Sequence, residues 1–322
     1  MFKLAFVFPG QGSQHAGMGA DLVKNYREAV ELFDEANSAL INEGFNIKEL
    51  CLEGSEEELA KTMNAQPAVL TISTILYILL KKKNITPDIV AGHSLGEYSA
   101  LVATYSLGFK DAIKLVGKRG QYMQAATPLG TGSMAAIMGL KKDKIEELIK
   151  KASMFGTLEI ANYNSPYQTV VSGKNESIGQ LLILGEEEEE VNIMPLKVSA
   201  PFHSSLMKKA KNSLAGYIEN VNIEDPRIPF ICNVTADYVR TKEEIKDALV
   251  QQLTHPVRWV NTIKRIHAEG ISCFIEVGPG NVLKKLIKQT LPQAKAYSVY
   301  DSESLEEVTR KINKMKNKIN NL

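Results

Sequence analysis

One pentapeptide constrains this chain more than any other stretch. Gly92-His93-Ser94-Leu95-Gly96 follows the apolar segment Asp88 to Ala91 and precedes a helical pattern through Glu97, Tyr98, Ala100, Leu101 and Val102. A G-x-S-x-G turn with a strand before it and a helix after it is the context of a nucleophile elbow. Its glycines are needed because the tight turn crowds the backbone around the serine and leaves no room for side chains. The hydroxyl is left exposed at a helix amino terminus, where free N–H groups can bind a developing oxyanion. The competing reading is a glycine-rich turn whose serine merely caps the helix.

The surrounding pattern suits such an elbow. Leu4 to Phe8 reads as a strand, Asp21 to Ile41 as a helix, and Ala68 to Leu80 as a second, apolar helix. Short β-rich runs alternating with helices argue an α/β sheet. Between Pro128 and Lys197 the character changes: Met134 to Met138, a charged helix near Asp143 to Ala152, Leu158 to Ala161, Thr169 to Val171 and a helix from about Glu176. That β-α-β-β-α-β order predicts a small ferredoxin-like unit. Pro195 to Ser199, a strand around Ile228 to Asn233, a helix near Lys242 to Leu253 and a strand-turn-helix over Cys273 to Lys288 then resume the larger unit. At 322 residues the chain exceeds one ordinary hydrophobic core. The predicted organisation is a large α/β domain in two pieces, 1–127 and 198–322, with 128–197 inserted between them.

Charge and cysteine content exclude several classes. The chain has 38 Lys and Arg against 37 Asp and Glu, so it lacks the basic excess of a nucleic-acid binder. The apolar run Ala68 to Leu80 spans 13 residues and ends in three lysines, short of the roughly 20 needed to cross a bilayer. It is expected to be a buried helix. Cys51, Cys232 and Cys273 are widely separated, with neither metal-ligand nor disulfide spacing, which fits a reducing cytoplasm. A soluble cytoplasmic protein with no metal, no nucleic acid and no membrane partner is the expectation. The glutamates Glu186 to Glu190 read as a solvated helix end or loop, since like charges repel and stay wet.

A serine hydroxyl is a weak nucleophile until a base takes its proton. Of the five histidines, His15 lies in a glycine-rich loop, His93 adjoins the serine and points away across the elbow, His255 precedes a proline, and His267 sits in a charged helix. His203, at a break between a strand and a helix starting near Leu206, remains as the candidate base. Phe8-Pro9-Gly10-Gln11-Gly12-Ser13-Gln14 leaves the first strand as a glycine-rich turn without the lysine of a phosphate loop. The N–H of Gln11 is therefore paired with that of Leu95 as an oxyanion hole. In the helix after Phe109, Arg119 shares a face with Ala112, Leu115, Val116 and Met123. A guanidinium on a buried stripe needs either a protein carboxylate or an anionic ligand. From the residues alone, an internal salt bridge is the favoured partner.

Together, G-Q-G-S-Q near the start, G-H-S-L-G-E-Y, P-F-H, Q-L-x-x-P and E-V-G-P-G resemble the malonyl-CoA:acyl carrier protein transacylases and the acyltransferase domains of fatty-acid and polyketide synthases. The resemblance covers nearly the whole chain, and the order and spacing of its motifs are specific. It implies an α/β-hydrolase-like domain with a ferredoxin-like insert and an active site in the cleft between them. It further implies Ser94 as the acyl carrier, His203 as base and then acid, Gln11 and Leu95 as oxyanion donors, and Arg119 on the malonyl carboxylate. Gln252 would orient the histidine through its main-chain carbonyl, and Phe202 would leave little room for an α-methyl branch. Malonyl-CoA and an acyl carrier protein are the implied partners, with no cofactor, and a monomer is expected.

Three other readings stay open: a stand-alone acyltransferase serving a polyketide synthase, a serine esterase or thioesterase, and a silent carrier-protein scaffold. Carrier proteins of this kind are acidic, so Lys208, Lys209 and Lys211 after His203 are candidate docking residues.

Overall fold

The computed structural model describes residues 2–41, 44, 46–128, 130–186, 188, 191–198 and 200–320. The strands found there are β1 (Ala5–Phe8), β2 (Ile89–Gly92), β3 (Gly132–Met138), β4 (Leu158–Ser165) and β5 (Gln168–Lys174). They continue with β6 (Asn192–Pro195), β7 (Phe230–Ile231), β8 (Tyr238–Val239), β9 (Cys273–Val277) and β10 (Lys295–Val299). One sheet runs β10-β9-β1-β2-β7-β8 and is parallel except for β8 at its edge. Every residue of β1 and β2 is buried. A strand covered by helices on both faces reads as a continuous apolar run rather than an alternation, as Ala5-Phe6-Val7-Phe8 does. From β1 the chain steps one way through β2 to β7 and the other way through β9 to β10. The reversal at β1 marks the crevice beyond its carboxyl end as the natural ligand site. Phe8 pairs with Gly92 in register, so the two loops that leave these strands lie side by side.

The second sheet runs β4-β5-β3-β6 and is antiparallel throughout. The helices Lys142–Ala152 and Asn175–Glu186 connect its strands in the β-α-β-β-α-β order of a ferredoxin-like unit. β4 is stitched to the segment before the helix Trp259–Ala268 by main-chain bonds at Val257, whose N–H donates to Ala161 O at 2.8 Å and whose carbonyl accepts from Tyr163 N at 2.9 Å. The predicted mixed α/β class and its small antiparallel companion are thus both present.

Several local expectations differ. Asp21 to Ile41 is two helices, Ala20–Asn25 and Arg27–Ala39, because Tyr26 turns extended and sends its hydroxyl to Glu306 at 3.3 Å. That contact is remote in sequence, so local periodicity carries no trace of it. The segment expected at Pro195 to Ser199 lies past the strand. Leu196 N makes a last bond to Met134 O at 2.9 Å, after which Val198 N folds back onto Leu196 O; Ser199 lies outside the described residues. Ile228 to Asn233 shrinks to the two residues of β7. The apolar run belongs to a helix, Thr62–Lys82, long and apolar enough to cross a membrane by length and composition, with 83% of its apolar window buried in the core. All three cysteines are buried free thiols. Of the acidic run, Glu186 ends its helix and Glu188 pairs with Lys144 at 2.8 Å. Glu187, Glu189 and Glu190 lie outside the described residues.

Candidate active site

Ser94 has φ 51°, a left-handed backbone that a non-glycine residue adopts at a cost of about 1 to 3 kcal/mol. The strain is held by packing on every side. A Cβ on Gly92 would strike the Gly96 carbonyl, one on Gly96 would strike Phe8 O, and one on Gly10 would strike His93 O. The elbow therefore presses against the loop after β1, and only glycine permits that approach. Asn233 adds a further restraint: its Oδ1 accepts from Ser94 N at 2.7 Å while its Nδ2 donates to Gly92 O at 2.6 Å.

The histidines occupy distinct environments. His93 Nε2 bonds Asn164 Oδ1 at 2.9 Å and its ring meets Trp259 edge-on, away from the hydroxyl. His255 and His267 each bond a nearby main-chain carbonyl. His203 lies 109 residues from Ser94 in sequence, yet its Nε2 stands 2.8 Å from Ser94 Oγ. Its Nδ1 stands 2.8 Å from the main-chain oxygen of Gln252. A carbonyl can only accept, so Nδ1 carries the proton and Nε2 offers a lone pair to the serine. Gln252 is the last residue of the helix Lys242–Gln252, where a carbonyl is left without an intrahelical partner and the dipole favours positive charge. Burial first, and then the Arg119 charge, push the imidazole down to about 3. His203 is thus a neutral acceptor at any physiological pH.

Arg119 is 1% exposed on the helix Phe109–Ala125. The internal salt bridge favoured from sequence does not form: among the described residues no carboxylate lies within ion-pair distance. Its partners are neutral oxygens instead. Nη1 donates to Gln66 Oε1 at 2.8 Å, and Nη2 donates to Gln252 Oε1 at 2.8 Å and to Ser94 Oγ at 3.2 Å. Nε has no hydrogen-bond partner among the described residues, and the guanidinium lies 5.4 Å from the Tyr98 ring centroid. Two glutamine oxygens therefore hold the fork in place while part of its donor capacity stays unused.

Gln11 anchors its side chain on Thr62 Oγ1 at 3.1 Å. Among the described residues, neither its main-chain N–H nor that of Leu95, the residue preceding the helix Gly96–Ala103, has a protein acceptor. Gln11 and Ser94 line a cavity of about 410 Å³ whose far wall comes from the second sheet, including Met134, Asn162, Asn164 and Val170, while Leu95 itself is fully buried. Phe202, 6% exposed, closes it beside His203. Lys197 also lines it, whereas Lys208, Lys209 and Lys211 do not, and Lys211 is tied to Gln251 at 2.6 Å. Chemically, a hydroxyl flanked by a basic nitrogen, a cationic fork and two unpaired N–H groups can form and exchange an ester with an anionic acyl group.

Sequence reasoning missed Gln66, Asn233 and Glu97. Gln66 lies just ahead of the run Ala68 to Leu80 in the same helix, and a buried polar residue there was the available signal. Glu97 is inside the G-H-S-L-G-E-Y motif itself. Nothing local marks Asn233.

Comparisons with known proteins bear on the family and the fold. The chain is 44% identical over 307 residues to the malonyl CoA-acyl carrier protein transacylase of Bacillus subtilis, covering 95% of this chain and 96% of that protein. The crystal structure of the transacylase of that name from Clostridium perfringens superposes with a TM-score of 0.92 at 35% identity, covering 98% of each chain. A malonyl-transacylase solved in complex with a type II polyketide acyl-carrier protein gives a TM-score of 0.92 at 38% identity, over 96% of this chain and 99% of that one. The model of the acyl transferase domain matches residues 5–317, and a chain aligned to it almost end to end, with serine, histidine and arginine converging in one cleft, belongs to that family.

Proposed function

We propose that this chain transfers malonyl groups from malonyl-CoA to the phosphopantetheine thiol of an acyl carrier protein, through an ester on Ser94, in the service of fatty-acid synthesis. One observation carries the proposal: Ser94 Oγ lies within hydrogen-bond distance of both His203 Nε2, at 2.8 Å, and Arg119 Nη2, at 3.2 Å. A three-carbon diacid held by its free carboxylate on the guanidinium thereby brings its thioester carbonyl to the hydroxyl.

Ser94 Oγ attacks that carbonyl as its proton passes to His203 Nε2, and the oxyanion takes the N–H groups of Gln11 and Leu95. Collapse breaks the carbon–sulfur bond, and the departing coenzyme A sulfur leaves with the proton from His203. In the second half the carrier thiol gives its proton to His203 and attacks the ester, and Ser94 recovers its hydrogen. Acyl exchange moves no electrons between oxidation states, so no cofactor is assigned. The arriving carboxylate also answers the Arg119 charge that helps depress His203, which makes the base stronger when the correct acyl group is bound. Phe202 crowds the α-carbon and favours malonyl over branched units, a discrimination worth about 1 to 3 kcal/mol per methyl. Lys197, the lysine on the cavity wall, is the first contact assigned to an acidic carrier.

The decisive experiment is intact-protein mass measurement after mixing with malonyl-CoA. Wild type gains one malonyl group, which a carrier thiol discharges; Ser94→Ala gains none. A persistent adduct on Ser94→Ala overturns the assignment. The solved complex with a polyketide carrier supports a second reading that differs only in acceptor, and discharge rates on fatty-acid and polyketide carriers separate the two.

A further inference from the structure

Glu97 follows Ser94 by three residues, in the first turn of the helix Gly96–Ala103, and is fully buried. A carboxylate at such depth costs several kcal/mol unless it is paired, and apolar replacements of buried charges are often neutral or stabilising. Packing alone therefore does not account for an acid here. Its bonds do suggest a role. Oε1 accepts the main-chain N–H of Asn233, and Oε2 accepts from Gln252 Nε2. Those two residues restrain the rest of the site. Asn233 holds the Ser94 and Gly92 backbone through its side chain. The Gln252 carbonyl receives His203, its Oε1 faces Arg119 at 2.8 Å, and its Nε2 also reaches Ser94 O at 3.0 Å. The Gln252 amide thus stands between an acid and a guanidinium, oxygen toward the cation and nitrogen toward the anion.

We infer that Glu97 is a positioning residue: its ionised carboxylate fixes Asn233 and Gln252 in the orientations that set Ser94 and His203, and it balances Arg119 through an intervening amide without occupying the fork. A direct salt bridge would fill the donors that an acyl carboxylate needs. The inference rests on the roles proposed above for Ser94 and Arg119. Protonation would remove the charge that strengthens both bonds and give one Glu97 oxygen a proton that competes with the donor it now accepts from, so the restraint on Asn233 and Gln252 weakens. The charged and titratable groups facing the carboxyl are Arg119, Tyr98 and Cys232. Burial pushes the acid up to about 8, against the Asn233 and Gln252 bonds and the Arg119 charge. The rate of Ser94 acylation should therefore rise with pH as Glu97 ionises. In the unliganded protein His203 is held down to about 3, so a limb of its own lies well to the acid side of that of Glu97.

The test is single-turnover acylation by malonyl-CoA, read by intact mass from roughly pH 5 to 9, for wild type, Glu97→Gln, Glu97→Asp and Ser94→Ala. Wild type is expected to lose rate on the acid side. Glu97→Gln is expected to be slower at high pH by on the order of 10- to 100-fold, as for a misplaced reacting group, with little change in the half-saturating malonyl-CoA concentration and with the acid limb gone. Glu97→Asp, which keeps a carboxylate on a shorter arm, recovers part of the rate and regains a displaced limb. An acid limb in Glu97→Gln at the wild-type position overturns the inference, as does an unchanged rate. If circular dichroism shows Glu97→Gln unfolded, an undisplaced limb in Glu97→Asp overturns it. Acylation surviving in Ser94→Ala overturns the parent reading instead, so the two failures are distinct.

Discussion

The two sheets contribute unequally to one cavity. The parallel sheet and its helices carry the elbow after β2, the loop after β1, Arg119 and the helix end that receives His203, whereas the lysine on the cavity wall, Lys197, follows β6 of the other sheet. The antiparallel sheet supplies apolar wall and amides, with Asn164 on His93 as its closest polar tie to the elbow. The difference is topological. At the carboxyl ends of parallel strands the chain leaves into loops and helix amino termini, where free N–H groups and sharp turns concentrate. An antiparallel sheet spends its main-chain groups on its own ladders and offers a surface. On this view the first sheet runs the reaction and the second shapes what enters.

That division predicts a graded set of effects. Replacing His203 by alanine should slow Ser94 acylation by about 10²- to 10⁴-fold for malonyl and acetyl thioesters alike, measured by single-turnover mass analysis. A malonyl-only loss would mean that the base is not shared. Arg119→Ala should be next and selective. Each lost charge-assisted bond is worth about 1.5 to 3 kcal/mol, so malonyl transfer falls by roughly one to two orders of magnitude per bond. Acetyl transfer is spared or improves, because His203 no longer sits beside a cation. Equal losses for the two acyl groups would reduce Arg119 to a structural part. The smallest change belongs to the second sheet. Asn164→Ala removes two neutral hydrogen bonds, to His93 and to Gln168, each worth about 0.5 to 1.5 kcal/mol; only the first reaches the elbow, and kcat/KM should fall less than about tenfold. A deficit as large as that of His203→Ala would break the division of labour between the sheets.

The sequence revealed most where a function needs a special backbone. Gly92, Gly96 and Gly10 mark the elbow and its neighbouring loop because no side chain fits there, and that requirement is written locally. His203 emerged by elimination among five histidines, its φ of 58° being invisible until the fold was seen. The environment of Arg119 differs from the sequence expectation for a reason that generalises. A buried cation needs compensation, but sequence cannot distinguish a carboxylate in contact from two glutamine oxygens with the acid one amide further away. Asn233 and Gln66 reach the site only through tertiary packing, and the break at Tyr26 answers to Glu306, 280 residues later. Such features lie on no local period.

The interlocked glycines also bear on how this site could be attacked. A compound that seats an oxygen between the N–H groups of Gln11 and Leu95 would engage main-chain atoms, which no substitution other than proline removes. The obvious displacements, through Gly10, Gly92 or Gly96, drive a new Cβ into a neighbouring carbonyl. Escape would have to come from the outer cavity wall, at positions such as Met134 or Val170, so an inhibitor built inward from the donor pair and sparing that wall would leave few routes to resistance.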